Sequence, residues 1–448
     1  MSKQLKIWTT LGLTALGSAT LVQATEIDRT NAPSFLLAQA DAEGEGGESG
    51  TEAPAEAGEG GESGTPSTAE GGEGGESGNT GATTYALGST DPNAYQYDAK
   101  PQIEAYVDLV YRAYEKAHDD AKAMKSAIEA FLAVPSDETL KAARQAWVAA
   151  RPAYLRTEAF RFYDGPIERV EGSINSWPVN EAYIDYVDGD PKSGLINDPA
   201  ADLDTDDLEA LNQKQDEADV TIGWHAIEFL LWGQDLSATG PGNRPYTDYV
   251  AGQGNNDRRR LYLQHVTDEL VHELEELAES WEADEKQSYA AKFLSLPPRE
   301  AIGRMVNGMA ILAGYEFMSE RLAVALDSGD QEDEQSCFSD TTKQDFIADL
   351  EGIRQVWTGD SDGATRPGLD DLVFNIDSAT ADKVTALFAD TEAKVKALGE
   401  PWDQVLASPK DSPGRKAAED LVTSLQALSD GLAAAGNKLG VLVLVPKE

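Results

Sequence analysis

Four histidines and one cysteine are the side chains in this sequence best suited to metal or nucleophilic chemistry: His118, His225, His265, His272 and Cys337. His225 and Glu228 stand three apart in Gly223-Trp224-His225-Ala226-Ile227-Glu228. On a helix that spacing sets an imidazole and a carboxylate about 60° apart around the axis, close enough to grip one ion. A neutral imidazole with a carboxylate suits iron, manganese or zinc. Spacing alone selects nothing, because His272 and Glu275 share it and Glu115 with His118 has it reversed. Surroundings do separate the three pairs. His118 lies beside Lys116, Asp119 and Asp120, and His272 lies among Glu269, Glu273, Glu275 and Glu276, so both read as solvated helix faces. His225 is bracketed by Trp224, Ile227, Phe229, Leu230, Leu231 and Trp232, a stretch apolar nearly all round and therefore expected to be buried. A buried Glu228 needs a partner. That partner is either an ion or ligand, or, with no metal, His225 itself or an arginine.

A second polar string lies in an aromatic setting. Arg151, Glu158 and Arg161 are interleaved with Trp147, Tyr154, Phe160 and Phe162. Glu158 is a candidate third oxygen ligand, with a salt bridge to Arg151 or Arg161 as the plainer alternative. Asp235, just past Trp232-Gly233, offers another oxygen or simply a turn. Met305, Met309 and Met318 read as core filling. Cys337 has no histidine after it to serve as a base, which disfavours a nucleophilic role.

These residues must be positioned by helices. Ile103, Tyr106, Val107, Val110, Tyr111 and Tyr114 recur at three and four, and Met124, Ile128, Phe131 and Leu132 continue the stripe. Val134-Pro135 ends it, and Ser136 with Thr139 opens a helix expected to run to Phe162. Residues 164–205, rich in Gly, Pro, Asp and Asn, read as a long excursion with short helical pieces. Helical patterns follow at 206–232, 257–282, 298–327, 341–357, 378–398 and 412–435, and only Val441 to Val445 look extended. The expected fold is all-α, two packed helical bundles after a disordered acidic Gly/Glu-rich N-terminal stalk. The expected segments are a signal peptide over 1–25, a low-complexity linker over 26–94, one bundle over 95–285 and a second over 286–448.

The export signal rests on Lys3 and Lys6, an uncharged stretch from Ile7 to Thr25, and Val22-Gln23-Ala24 as a cleavage site; an uncleaved anchor is the alternative. In the stalk, Gly-Glu-Gly-Gly-Glu-Ser-Gly appears at 44–50, 58–64 and 72–78, and residues 41–84 hold eleven acids and no base. No repeat has an apolar face to bury, so it reads as a solvated tether. The whole chain of 448 residues carries a net charge of −44, which argues against nucleic acid as a partner and suits attraction of cations. One cysteine excludes an intramolecular disulfide and any multi-cysteine metal site.

Taken together, several of these blocks resemble the imelysin family. Gly223-Trp224-His225-Ala226-Ile227-Glu228, running on through Phe229 to Gly233, resembles its G-x-H-x-x-E signature. Glu332 to Thr341, with Ser336, Cys337, Phe338, Ser339 and Asp340, resembles its second block, with Gln335 and Thr342 in place of His and Asn. The Trp147 to Phe162 string, Trp177-Pro178 and Asn243-Arg244-Pro245-Tyr246 also match. The resemblance spans about 95–445. It implies an exported, helical, two-bundle protein linked to iron acquisition, in the periplasm or on the outer face of the cytoplasmic membrane. It implies a site around His225 and Glu228, joined by Glu158. Gly223, Trp224, Arg151, Arg161, Ser336, Cys337 and Asp340 would surround it. The implied ligand is Fe2+ or Fe3+, or an iron chelate, with zinc as a further candidate, and the implied partners are membrane-bound iron-uptake components. A zinc metallopeptidase and a haem protein are the competing readings. The first lacks an H-E-x-x-H motif and the second a convincing axial pair.

Overall fold

The helix starting at Lys100 buries one face, from Ile103 and Tyr106 through Met124 to Phe131, as its three-and-four spacing predicts. In the computed structural model this is α1 (Lys100–Ala133). The structure describes the backbone of Tyr85–Leu87 and residues 95–237 and 239–446. The expected signal peptide and most of the expected stalk lie outside the described residues.

Ser136 caps α2 (Asp137–Leu155) in a reciprocal pair with Thr139: the Ser136 hydroxyl accepts from Thr139 N at 3.2 Å, and Thr139 Oγ1 accepts from Ser136 N at 3.0 Å. The helix does not continue to Phe162. It tightens into a 3-10 turn, Arg156–Phe160, just after Pro152, whose ring nitrogen has no hydrogen to give the preceding turn. That turn carries Glu158. The excursion after residue 164 contains only short helical pieces, as expected.

The expected 206–232 helix is two helices. Thr205–Leu211 is one, and α3 (Gly223–Trp232) is the other. Between them the polar run Asn212 to Asp219 has no apolar face to bury. α4 (Asn256–Ser280) completes the first group, with α1 packing on both α2 and α4, and α3 against α2 and α4.

The second group begins with α5 (Pro298–Ile311), which continues through a π-helical stretch, Leu312–Ala323, to Ser328. It then holds α6 (Thr342–Thr358), α7 (Ser378–Ala397) and α8 (Pro413–Lys438). α8 packs on α5, the π stretch and α7, and α6 meets α2 and the Arg156–Phe160 turn. The chain is therefore a pair of packed helical bundles. The short helices Leu369–Ile376 and Trp402–Leu406 have too few residues to show a period in the sequence. The expected extended end is strand β2 (Val441–Val443), which pairs antiparallel with β1 (Tyr85–Leu87), so the segment read as linker contains a strand.

Close approach is built in at Gly308, where a Cβ would lie 2.3 Å from Ala159 O; α5 thus packs directly on the turn that carries Glu158.

The long excursion is anchored by charge. Asp185 is buried and accepts from Arg244 at 2.5 Å and from Arg259 at 2.6 and 2.9 Å. Burial pushes its carboxyl up, but Arg259 and Arg244 outweigh that and hold it below the usual range. Asp185→Ala, which leaves two buried guanidiniums short of a partner, should cost about 3–5 kcal/mol in urea denaturation. A group with a lowered folded pKa stabilises the fold above its unfolded value. This contribution should therefore be full above about pH 4 and fade as pH falls further.

Candidate functional site

Every residue of α3 is buried, so its polar groups meet only protein. Gly223 starts the helix at φ +87°, and a Cβ there would come within 2.5 Å of Ile174 O. The carbonyl of Trp224 accepts from Trp147 Nε1 at 3.1 Å, and the two indoles meet edge to face with centroids 6.0 Å apart. α2 and α3 are thereby locked in register, with His225 facing Arg151.

His225 Nδ1 lies 2.8 Å from Glu228 Oε2, and Arg151 Nη2 lies 3.0 Å from His225 Nε2. A guanidinium can only donate. Nε2 must then accept, which places the proton of the neutral ring on Nδ1, aimed at Glu228. Burial, followed by the Arg151 and Arg321 charges, holds the imidazole well below its ordinary pKa, so it stays neutral. The other oxygen of Glu228 accepts from the Ser339 amide at 2.9 Å and its hydroxyl at 2.6 Å. Burial nonetheless lifts Glu228 to about 8 against those bonds and the Arg151 charge.

Arg151 lies over the rings of Trp147, Tyr154 and Trp224. It also donates to Asn175 Oδ1 at 2.6 Å and faces Asp345 at 3.6 Å. Ser336 Oγ donates to Asp345 Oδ2 at 2.5 Å.

Glu158 has a separate arginine cage. Its Oε2 accepts from Arg161 at 2.7 Å and Arg321 at 2.5 Å. Burial alone would raise this carboxyl; Arg161 and Arg321 overcome that and hold it at about 2. Arg321 also donates to Glu316 at 3.0 Å and to Asp349 at 3.0 Å. Glu316 and Arg321 are five apart, a spacing that meets on one face because the backbone here is π-helical. Burial pushes Asp349 up to about 8 and raises Asp345 as well.

The sequence-predicted residues thus fall into three places. His225, Glu228, Arg151 and Ser336 share one connected network, with Gly223 and Trp224 framing it. Glu158 and Arg161 sit in the neighbouring cage. His225, Glu228 and Glu158 do not converge: among the described residues, the groups of three or more His, Cys, Asp or Glu with ligand atoms within 4.8 Å of one another are Asp202/Asp204/Asp207 and Asp235/Asp340/Asp403. Asp340 belongs to that last group rather than to the His225 network. Cys337 is half-buried, and burial followed by the charges of Glu228 and Glu334 keeps it a thiol. His265 Nδ1 bonds Leu203 O at 2.7 Å, and His272 is exposed beside Glu276.

Arg321, Asp345, Asp349 and Asn175 were not singled out from the sequence. Arg321 had no signal, since a 3.6-residue period cannot reveal a π-helical pairing. Ser339 was visible only as part of the second block.

The donor set can be set beside known proteins. The Imelysin family model, Peptidase_M75, matches residues 110–432, more than half of the chain. The chain belongs to the imelysin family. It is 25% identical over 340 residues to iron-regulated protein A of Synechococcus elongatus, covering 74% of this chain and 83% of that protein. Among solved structures, it is similar to an iron-regulated protein A precursor of Parabacteroides distasonis, with TM-score 0.61, 18% identity, and 76% and 94% of the two chains covered. An imelysin-like protein of Psychrobacter arcticus superposes with TM-score 0.53 and 14% identity over 78% and 99% of the chains. At these identities the structural likenesses concern the imelysin fold alone.

Proposed function

We propose that this imelysin is an exported iron-binding protein that supports iron acquisition, and that His225 and Glu228 hold the ion. The observation that carries the reading is the 2.8 Å separation of His225 Nδ1 and Glu228 Oε2 in a fully buried, carboxyl-rich wall. Two ligands each about 2.1 Å from one ion and at right angles stand about 3 Å apart, so once the ring proton has moved to Nε2 an ion fits between the two groups with little movement of either. The setting favours an ion there. Glu228, Asp345 and Asp349 are buried acids whose charged forms burial disfavours, and Asp345 Oδ1 and Asp349 Oδ1 have no hydrogen-bond partner. Arg151 and Arg321 already face Asp345 and Asp349, and an ion at Glu228 would add a further positive charge to that wall. Ligation through Nδ1 puts the ring proton on Nε2, so Arg151 must turn from the imidazole toward Asn175 and Asp345, while Ser339 orients the carboxylate. Glu158 joins the ion only if Arg161 and Arg321 release it. The acidic chain raises the local cation concentration.

Export, to the periplasm or the outer face of the cytoplasmic membrane, belongs to the same proposal. It rests on the N-terminal segment, which lies outside the described residues. Among the described residues no helix is long and apolar enough to cross a membrane. Membrane-bound iron-uptake components are the proposed partners.

Elemental analysis of protein exported by iron-replete cells, followed by anaerobic calorimetry with Fe2+, tests the reading. One iron per chain and a saturable one-site isotherm are expected. Zinc in place of iron, with chelator-sensitive peptide cleavage that vanishes in Glu228→Gln, would instead establish the metallopeptidase reading.

A further inference from the structure

A second group of acids lies beyond the C-terminal end of α3 and is not used by the His225 network. Asp235 follows that helix, Asp340 lies in the loop before α6, and Asp403 lies in the short Trp402–Leu406 helix. One carboxylate oxygen from each lies within 4.8 Å of the others. Asp235 Oδ1 accepts from Ser237 N at 2.9 Å and Asp403 Oδ1 from Gln404 N at 2.8 Å. Asp235 Oδ2, Asp403 Oδ2 and both oxygens of Asp340 are buried and make no hydrogen bond. Among the described residues no lysine or arginine pairs with any of the three; the charges that Asp235 and Asp340 feel are those of their aspartate neighbours.

Clustered acids alone are commonplace, and Asp202/Asp204/Asp207 shows it: that trio is fully exposed and needs no ion. What sets the half-buried Asp235/Asp340/Asp403 trio apart is its neighbour Glu334. Its side chain is 1% exposed, neither oxygen makes a hydrogen bond of ordinary geometry, and the acids it faces first are Asp340 and Asp403. Thr342, whose hydroxyl accepts from Ser336 N at 3.0 Å, can turn its one proton toward Glu334, but it supplies no counter-charge. Buried carboxylate oxygens without donors are costly, and native chains almost always satisfy them. Here four acids from three chain segments lack a counter-charge together.

We propose that Asp235, Asp340, Asp403 and Glu334 form a Ca2+ site distinct from the His225–Glu228 pair. The ligand set is all oxygen, with no imidazole or thiolate, which selects a hard cation. Carboxylates drawn from two loops and a short helix suit the larger and less regular shell of Ca2+ better than the strict octahedron of Mg2+. Burial and mutual repulsion push Asp340 up to about 7 and Asp235 up to about 6, the condition a bound cation would reverse. The ion would tie the end of α3 to the 331–341 loop, whose Ser339 grips Glu228. It would therefore brace the iron pair without touching it.

The test is thermal unfolding and calorimetry of the full chain with calcium chloride. Wild type should bind with one-site saturation and melt at a higher temperature in calcium, with a smaller shift in magnesium chloride. Asp340→Asn and Asp403→Asn should each weaken calcium binding at least tenfold and lose the shift. His225→Ala and Asp207→Asn should keep it, which separates this site from the iron pair and from the exposed trio. Without calcium, Asp340→Asn should melt no lower than wild type, because it removes one charge from a repelling group. The proposal is overturned by the absence of a saturable shift in wild type, by an equal magnesium shift, by a full response in either Asn variant, or by an Asp340→Asn chain that melts lower without calcium.

Discussion

Alanine at His225 should lower Fe2+ affinity on the order of 100-fold or more, while alanine at His272 should leave it unchanged. Loss of a directly ligating group should exceed the 10–100-fold typical of groups that only orient a ligand. The comparison is informative because both histidines begin an H-x-x-E pair. His272 is exposed and loosely paired, with His272 Nε2 3.4 Å from Glu276. His225 is 1% exposed, neutral, and already 2.8 Å from the carboxylate it would share an ion with. His225→Ala also opens a cavity and strands Arg151, so a second variant is needed. Glu228→Gln keeps the side-chain shape and an oxygen for Ser339 to bond, yet removes the charge; its affinity should fall in the same direction with a smaller change in melting temperature. Anaerobic calorimetry on all three chains decides it. Equal Fe2+ affinities for His225→Ala and His272→Ala would remove the site.

How far the sequence could reach follows from what a periodic pattern can encode. Apolar residues every three or four positions exposed α1, α4, α6, α7 and α8 nearly to their ends, because each helix buries one long stripe. The same pattern read 298–327 as one helix, and the chain is indeed helical from Pro298 to Ser328. What it could not show is the change of pitch at Leu312, and with it the Glu316–Arg321 pair. The His225–Glu228 contact was legible because both residues lie on one buried helix. Arg151 facing His225 was not, since that meeting depends on how α2 packs on α3. Asp403 was invisible for a further reason. Its five-residue helix has no stripe, and its two aspartate partners come from loops 63 and more residues earlier in the chain.

Replacing Arg321 with methionine should destabilise the chain by about 3–5 kcal/mol at pH 7, measured by urea denaturation. Methionine keeps much of the length and apolar bulk of the side chain, so the loss reports the guanidinium rather than a cavity. Arg321 is fully buried, and its cation serves Glu158, Glu316 and Asp349 at once. The three acids are unequal. Burial already drives Asp349 to about 8, so it can stay protonated and gives up little. Glu158 depends on its cations: burial raises it, and only Arg161 and Arg321 hold it at about 2. A carboxyl with a lowered folded pKa stabilises the fold above its unfolded value and loses that contribution as pH falls through the folded one. In wild type the Glu158 contribution should therefore persist to about pH 2. In Arg321→Met only Arg161 remains to hold Glu158, so its folded pKa rises and its carboxyl can take up a proton at milder pH. The stability gap between the two chains should be widest near neutrality and narrow as pH falls toward 3. A gap that is constant with pH would show that Arg321 acts through packing alone, and that Glu158 is not held charged by this pair of arginines.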